Sequence, residues 1–317
     1  MGAYVAQRIA LMVPTLLGFT LLLFFALRVI IPIDAVDIAY AEPGVPDPVR
    51  MQQIREEYNL SGPLALQYAK WLGGIAQGDL GTSIFSGRPV TEELLRRVPT
   101  SLQLGLIALS VTLVIAIPVG LISAARQDSW IDYLARGGAI LFYAIPHFWM
   151  AIVILIVAST YFNWAPSTQF RTLWEDPVAN LKHLWLPALI LGINATGTMI
   201  RLTRTQVLEV IRQDYVRTAR AKGLDTRTIY TRHILRNSML PLITVIGLQI
   251  PNIVAGTVIF EQIFLVPGVG RYLIEALNRL DIYVILGANL FFGVVLVMSN
   301  LIVDVLYGII DPRIRLS

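Results

Sequence analysis

The side chains able to do chemistry are few, and their types exclude most of it. Cysteine is absent and histidine occurs three times, at His147, His183 and His233. That removes thiol nucleophiles, disulfides and cysteine zinc sites, and leaves little for other metals. The histidines are followed by Phe148, Leu184 and Ile234, so the HExxH arrangement of a zinc hydrolase is missing. A Walker phosphate loop needs Gly-Lys followed by Ser or Thr. Lys70, Lys182 and Lys222, the three lysines, precede Trp71, His183 and Gly223. The chain therefore carries no P-loop of its own.

What remains is concentrated positive charge. Residues 201–236 hold eight arginines and one lysine against Glu209, Asp214 and Asp225, a net of +6, so the rest of the chain carries −2 of the total of +4. Within this stretch DYVRTARAKGLDTRTIYTRHILRNSMLP, residues 214–241, reads as two helices joined by a tight turn. Gly223 suits a left-handed C′ position and Asp225 suits the N-cap of the next helix. Thr218, Ala219 and Ala221 give the first helix a face of short side chains between Arg217, Arg220 and Lys222, open to close approach by another backbone. The second helix runs through Ile229, Ile234 and Leu235 toward the following apolar segment, so a push on the turn would be carried along it. The charge alone also fits a basic helix lying on anionic lipid. A DNA-binding helix-turn-helix is a weaker reading, and nucleic acid is not an expected partner.

The elements that must position this segment are apolar. Of 317 residues 56% are hydrophobic and 15% charged, with a mean hydropathy of +0.66. An ordinary soluble domain is roughly 45–50% apolar and about 25% charged, so this composition belongs to a membrane protein. About 20 apolar residues cross the hydrocarbon core as a helix. Six runs qualify, near 9–30, 101–124, 138–162, 184–202, 239–262 and 284–308. The first is longer than the apolar core of a signal peptide and has no small-residue cleavage site behind it, so it reads as a retained span.

Basic loops stay in the cytoplasm, which places 201–236 there. The 32–98 connection has six basic residues against nine acids and belongs outside. Six spans then put both termini in the cytoplasm, in agreement with RIRLS at the C-terminal end. The outer loop reads as short helices. Asp47 and Pro48 form an N-cap and first-turn proline, VTEELLRRV at 90–98 has acids early and arginines late, and GDLG at 78–81 is a turn. The expected fold is all-α, one transmembrane domain over 1–317, with a small helical external cap in 32–98 and a cytoplasmic loop at 203–238.

The basic loop resembles the EAA loop of ABC importer membrane subunits. Arg217, Thr218 and Ala219 stand where Glu-Ala-Ala precedes the glycine, here Gly223. The general loop continues nine residues on with Ile-x-Leu-Pro; here His233, Ile234, Leu235 and Arg236 fill those places and the proline comes at Pro241. YVRTARAKGL followed by RHxLRNxxLP is similar to permeases of the dipeptide, oligopeptide and nickel importer family. QYAKWL, GDLGTS, RRVPTSLQLG, IPHFW at 145–149, EQIFLVPGVGRYLIEAL at 261–277 and NLIVDVLYGIIDPRIR at 300–315 extend the likeness over most of the chain.

The resemblance implies a type I importer permease fold in the cytoplasmic membrane of a prokaryote. It implies a second, related permease subunit, two cytoplasmic ATPases that hold ATP and magnesium, an external solute-binding protein, and no cofactor in this chain. It also implies that Asp214, Tyr215, Arg217, Thr218, Ala219, Ala221, Gly223, Leu224 and Asp225 dock on an ATPase. Short peptides are the expected cargo, although nickel chelates, glutathione and opine-like compounds are carried by similar permeases.

Polar residues inside spans line cavities or pair with one another. Asn194, Gln249, Asn252 and Asn289 are candidates for a translocation path, and helix-to-helix hydrogen bonding accounts for them equally well. Asn300 and Asp304, four apart on one face, read as a structural pair near available arginines. His147, after Pro146, reads as part of a kinked helix. The rival reading is a stand-alone secondary transporter driven by an ion gradient, which requires ionisable groups deep in the spans.

Overall fold

A computed structural model describes residues 2–30, 48–58, 60–167 and 169–310. Among them eleven named helices follow in order. They are α1 Gly2–Ile30, α2 Pro48–Glu57, α3 Leu64–Ala76, α4 Val90–Ala125, α5 Trp130–Ala144, α6 His147–Phe162, α7 Pro177–Ile211, α8 Asp214–Ala221, α9 Arg236–Ile263, α10 Val269–Arg279 and α11 Ile282–Ile310. Between α8 and α9 lie a single turn, Thr226–Thr228, and a π-helical segment, Ile229–Leu235. Asp47 and RIRLS lie outside the described residues.

Five helices are long and apolar enough to cross a membrane, and α5 with α6 makes a sixth span if the bent pair is counted as one. The third expected span is thus not a continuous kinked helix. Its halves meet at 91°. At the break Ile145, as residues before proline often are, is extended (φ −86°, ψ 123°), so α5 ends there and Pro146 caps α6. Pro118, Pro187, Pro241 and Pro251 lie inside unbroken helices. The 90–98 helix, expected in the cap, is not a separate element. It runs on through Pro99 as the first turns of the 36-residue α4.

Lipid-facing and protein-facing sides are distinguished by what they bury. Leu22, Leu106, Val114 and Ile156 are exposed, as suits hydrocarbon, and so are aromatic residues near helix ends, Trp130, Tyr161 and Phe162. The centre is built on α4 and α7, where Leu104, Ala108, Leu184, Ala188 and Ile190 are buried with Phe260 of α9. Glycine brings these two helices together. A β-carbon on Gly192 would strike the Ala108 carbonyl oxygen, and one on Gly120 would lie 2.6 Å from Thr203 Cβ. Thr112 Oγ1 donates to the Gly192 carbonyl at 2.9 Å.

At the end away from 201–236, α3 and the 80–85 segment fold back on α1 and α11. Phe24, Trp71 and Leu286 share one buried cluster. Gly78 and Gly81 both have positive φ in the expected GDLG turn, and the Gly81 amide donates to Asp79 Oδ1. Ser83 Oγ donates to Asp281 Oδ2 at 2.6 Å, tying the cap to the start of α11, and burial pushes the Asp281 carboxyl up.

Candidate functional site

The hairpin at 214–235 is assembled from backbone hydrogen bonds first. Gly223 has φ +75°; its amide donates to the Arg220 carbonyl at 2.9 Å and the Leu224 amide to the Ala219 carbonyl at 3.3 Å. These are the two bonds of a Schellman motif, whose left-handed residue is most cheaply glycine. Asp225 then caps the returning helix, accepting from the Thr228 amide at 3.0 Å. The hydrogen bonds from Thr228 hold the Asp225 carboxyl below its ordinary range.

The hairpin has its own core. Val216, Ala219, Ile229 and Ile234 are buried together with Ala124 of α4 and Val207 of α7. The short-residue face expected at 218, 219 and 221 is therefore divided. Ala219 turns inward, 5% exposed, and its small side chain lets α8 lie on the π-helical segment rather than on another protein. Thr218 and Ala221 face outward, along with Asp214, Tyr215, Arg217, Gly223, Leu224 and Asp225. Arg217 pairs with Asp214 at 3.5 Å, both in water, a contact of little energetic weight. The outward surface exposes two large apolar side chains, Tyr215 and Leu224, together with Arg217, Arg220, Lys222 and Arg227. Val216, unnoticed in the sequence, is fully buried; the only advance signal is its position three residues before Ala219.

Beyond its tip the hairpin is continuous with a span. Ile229–Leu235 is π-helical and passes into α9 without a break, a form common at functional sites. Ser238 Oγ donates to the Ile234 carbonyl at 2.8 Å.

The polar residues of the spans do not gather. Asn194 Nδ2 donates to the Phe142 carbonyl at 2.9 Å and the Ile145 carbonyl at 3.2 Å. It thereby satisfies two oxygens freed where α5 stops. Asn252 is exposed and donates to its own Leu248 carbonyl, as Asn289, half-buried, does to Ile285. Gln249 is half-buried. Among the described residues no hydrogen bond joins any two of these four. Asp304 pairs with Arg8 of α1 at 3.2 Å, so the arginine near it comes from the first helix, not from the basic loop. His147 stacks on Phe260 at 5.7 Å, and the His183 ring lies 3.1 Å from the Phe264 carbonyl.

Two further buried carboxylates each tie several helices together. Glu261, at the end of α9, accepts from Ser101 Oγ at 2.7 Å and from the Arg271 amide at 3.0 Å, joining α4, α9 and α10. Asp132, fully buried in the first turn of α5, is gripped by Arg204 of α7 through Nε and a terminal nitrogen, each at 2.7 Å. Ser123 Oγ and the Asp128 amide complete its shell at 2.5 and 3.0 Å. Sequence spacing gave no sign of this pair, whose members stand 72 residues apart.

Stacked spans with a compact basic hairpin at one end define a multi-pass membrane transport subunit. The chain belongs to the family of binding-protein-dependent transport system inner membrane components, which residues 116–316 match. It is 39% identical to the oligopeptide transport system permease protein AppB of Bacillus subtilis (strain 168), over 99% of this chain and 100% of that one. To the dipeptide transport system permease protein DppB of Escherichia coli (strain K12) it is 37% identical, over 98% of each. The fold matches a solved inward-facing form of the MetNI methionine ABC transporter with a TM-score of 0.58 at 13% identity. That match covers 69% of this chain and 96% of the other.

Proposed function

We propose that this chain is one permease subunit of an ATP-driven importer of short peptides, lying in the inner membrane with the 201–236 segment and both termini in the cytoplasm. It forms half of the translocation path beside a second, related permease. Two cytoplasmic ATPases bind ATP with magnesium and hydrolyse it, and an external binding protein delivers the solute. The peptide cargo rests on the names of relatives that are alike over almost the whole length.

The observation that carries the reading is the exposed outer face of the hairpin. Tyr215 and Leu224 stand out among cations on a knob whose interior is already packed, and whose far side is continuous with α9. In this account ATP closes the ATPase pair and draws the knob with it, rocking the spans, and hydrolysis resets them. A secondary transporter has no use for such a knob. The test is purification in mild detergent from the native membrane, with mass spectrometry of what accompanies the chain, an assay of ATP hydrolysis, and uptake of dialanine by reconstituted vesicles. A second permease and P-loop ATPases, with ATP-dependent uptake, are expected. The chain alone, stable and without hydrolysis, contradicts the proposal.

A further inference from the structure

Along its whole length α5 is fastened to α7. The two helices run antiparallel, and contacts join them from the first turn of α5 to its end. Asp132 meets Arg204; seven positions on, Ala139 meets Gly197, where a β-carbon on the glycine would strike the Ala139 carbonyl oxygen. The free carbonyls at the end of α5 rest on Asn194. Arg201 lies over the Tyr143 ring at 5.2 Å. The helix pair is thus tied by a buried bidentate ion pair at one end and a two-carbonyl clamp at the other, and packed interfaces shift between discrete arrangements rather than stretching.

The Asp132 carboxylate also receives Ser123 of α4, so three spans meet at one side chain. That point adjoins the hairpin. Ala124, next to Ser123, and Val207, one turn beyond Arg204, are the buried residues that α4 and α7 contribute to the hairpin core, with Leu121, Leu208, Val210 and Ile211 packed around them. At its other end α5 reaches the 91° break, and beyond it His147 of α6 stacks on Phe260 of α9.

We propose that Asp132 and Arg204 are positioning residues for coupling. They lock α4, α5 and α7 into one lever, so that displacement of the hairpin arrives undiminished at Ile145–Pro146, the hinge between α5 and α6. The inference rests on the coupling role proposed for the hairpin. It predicts that weakening the pair separates ATP hydrolysis from transport, whereas a pair that only holds the fold together would lower both in step with the amount of assembled protein.

The test uses the complete importer in lipid nanodiscs and proteoliposomes. The chain has no cysteine, so, with any cysteines of the partner subunits replaced, spin labels placed by Leu134→Cys on α5 and Thr205→Cys on α7, both exposed, report one distance. With Asp132 intact a single narrow distance is expected, the same without nucleotide and with ATP trapped. In Asp132→Asn the distribution broadens, ATP hydrolysis per complex persists, and uptake per ATP falls about tenfold. Arg204→Lys, which keeps the charge but loses the bidentate fork, gives a smaller loss in the same direction and serves where the Asn variant fails to assemble. A distance that changes with ATP in the unmodified pair, or normal uptake per ATP in assembled Asn and Lys variants, overturns the inference. Absence of any ATPase from the unsubstituted preparation contradicts the proposed function instead.

Discussion

The backbone amide of Leu224 reaches back to the carbonyl of Ala219, 3.3 Å away, and this one bond places an exposed leucine directly over a buried alanine. The hairpin thus presents Leu224 outward while Ala219 seals its interior, and the residue between that makes the geometry possible is Gly223 at φ +75°.

Substitution at Gly223 separates backbone strain from blocked approach. An ordinary L-residue in the left-handed region costs about 1–2 kcal/mol, and asparagine less. No neighbouring atom of this chain lies within 4 Å of a β-carbon placed there. Gly223→Asn is therefore expected to keep ATPase association and uptake, and Gly223→Val to weaken both. Gly223→Trp is expected to stay in the membrane and lose both. Co-purification and vesicle uptake measure the order; normal transport by the Trp variant removes the docking role.

The hairpin core is expected to respond to size rather than charge. Val216→Ala deletes two methyl groups from a sealed cluster and should destabilise the hairpin by about 1–3 kcal/mol. Thr218→Val, on the outward face, should leave stability unchanged. Limited proteolysis between residues 214 and 235 reads the difference, and equal cleavage of the two variants would mean that Val216 is not buried.

Asn194 and Asn252 are expected to part company. Asn194→Leu leaves the half-buried carbonyls of Phe142 and Ile145 without their donor and should cost about 1–3 kcal/mol for the pair, seen as a lower melting temperature in detergent and faster hydrogen exchange at 142–147. Asn252 bonds only within its own helix and is exposed, so Asn252→Leu should leave melting unchanged. A drop in uptake at constant melting assigns it to the translocation path; unchanged uptake removes it from there.

The turn carries an acid-sensitive cap. Asp225 has its carboxyl lowered from an ordinary 3.8 by the hydrogen bonds from Thr228. A depressed carboxylate contributes stability that is present above its unfolded value and lost as pH falls through the folded one. Protection of 226–235 against hydrogen exchange should therefore decline below about pH 4 in the unsubstituted chain. Asp225→Asn, an N-cap without a titrating proton, should show no such decline.

Much of this arrangement was legible in the residues. Gly223 and Asp225 announced the turn because left-handed φ and N-capping are local preferences, and the apolar runs announced the spans because hydrocarbon thickness is fixed. The break at Ile145 was not legible. Proline alone does not break a helix, as Pro118, Pro187 and Pro251 show; what differs at Pro146 is Asn194, from another helix, waiting for the freed carbonyls. The inward turn of Ala219 depends on Ala124 and Val207, and the Asp132–Arg204 pair on the packing of α5 against α7. Each is a tertiary event between segments far apart in the chain, where periodicity carries no information. The π-helical register of 229–235 was equally hidden, since its side chains follow an ordinary helical pattern.

The most direct measurement places a photoactivatable amino acid at Leu224, and as a control at Trp174, which is exposed in the connection preceding α7, and irradiates native membranes. The account predicts a cross-link from position 224 to a P-loop ATPase polypeptide, strengthened when ATP is trapped, and none to that polypeptide from position 174. Cross-links from 224 to lipid alone, or equal yields from both positions, would contradict the claim that the hairpin is where ATP hydrolysis is joined to transport.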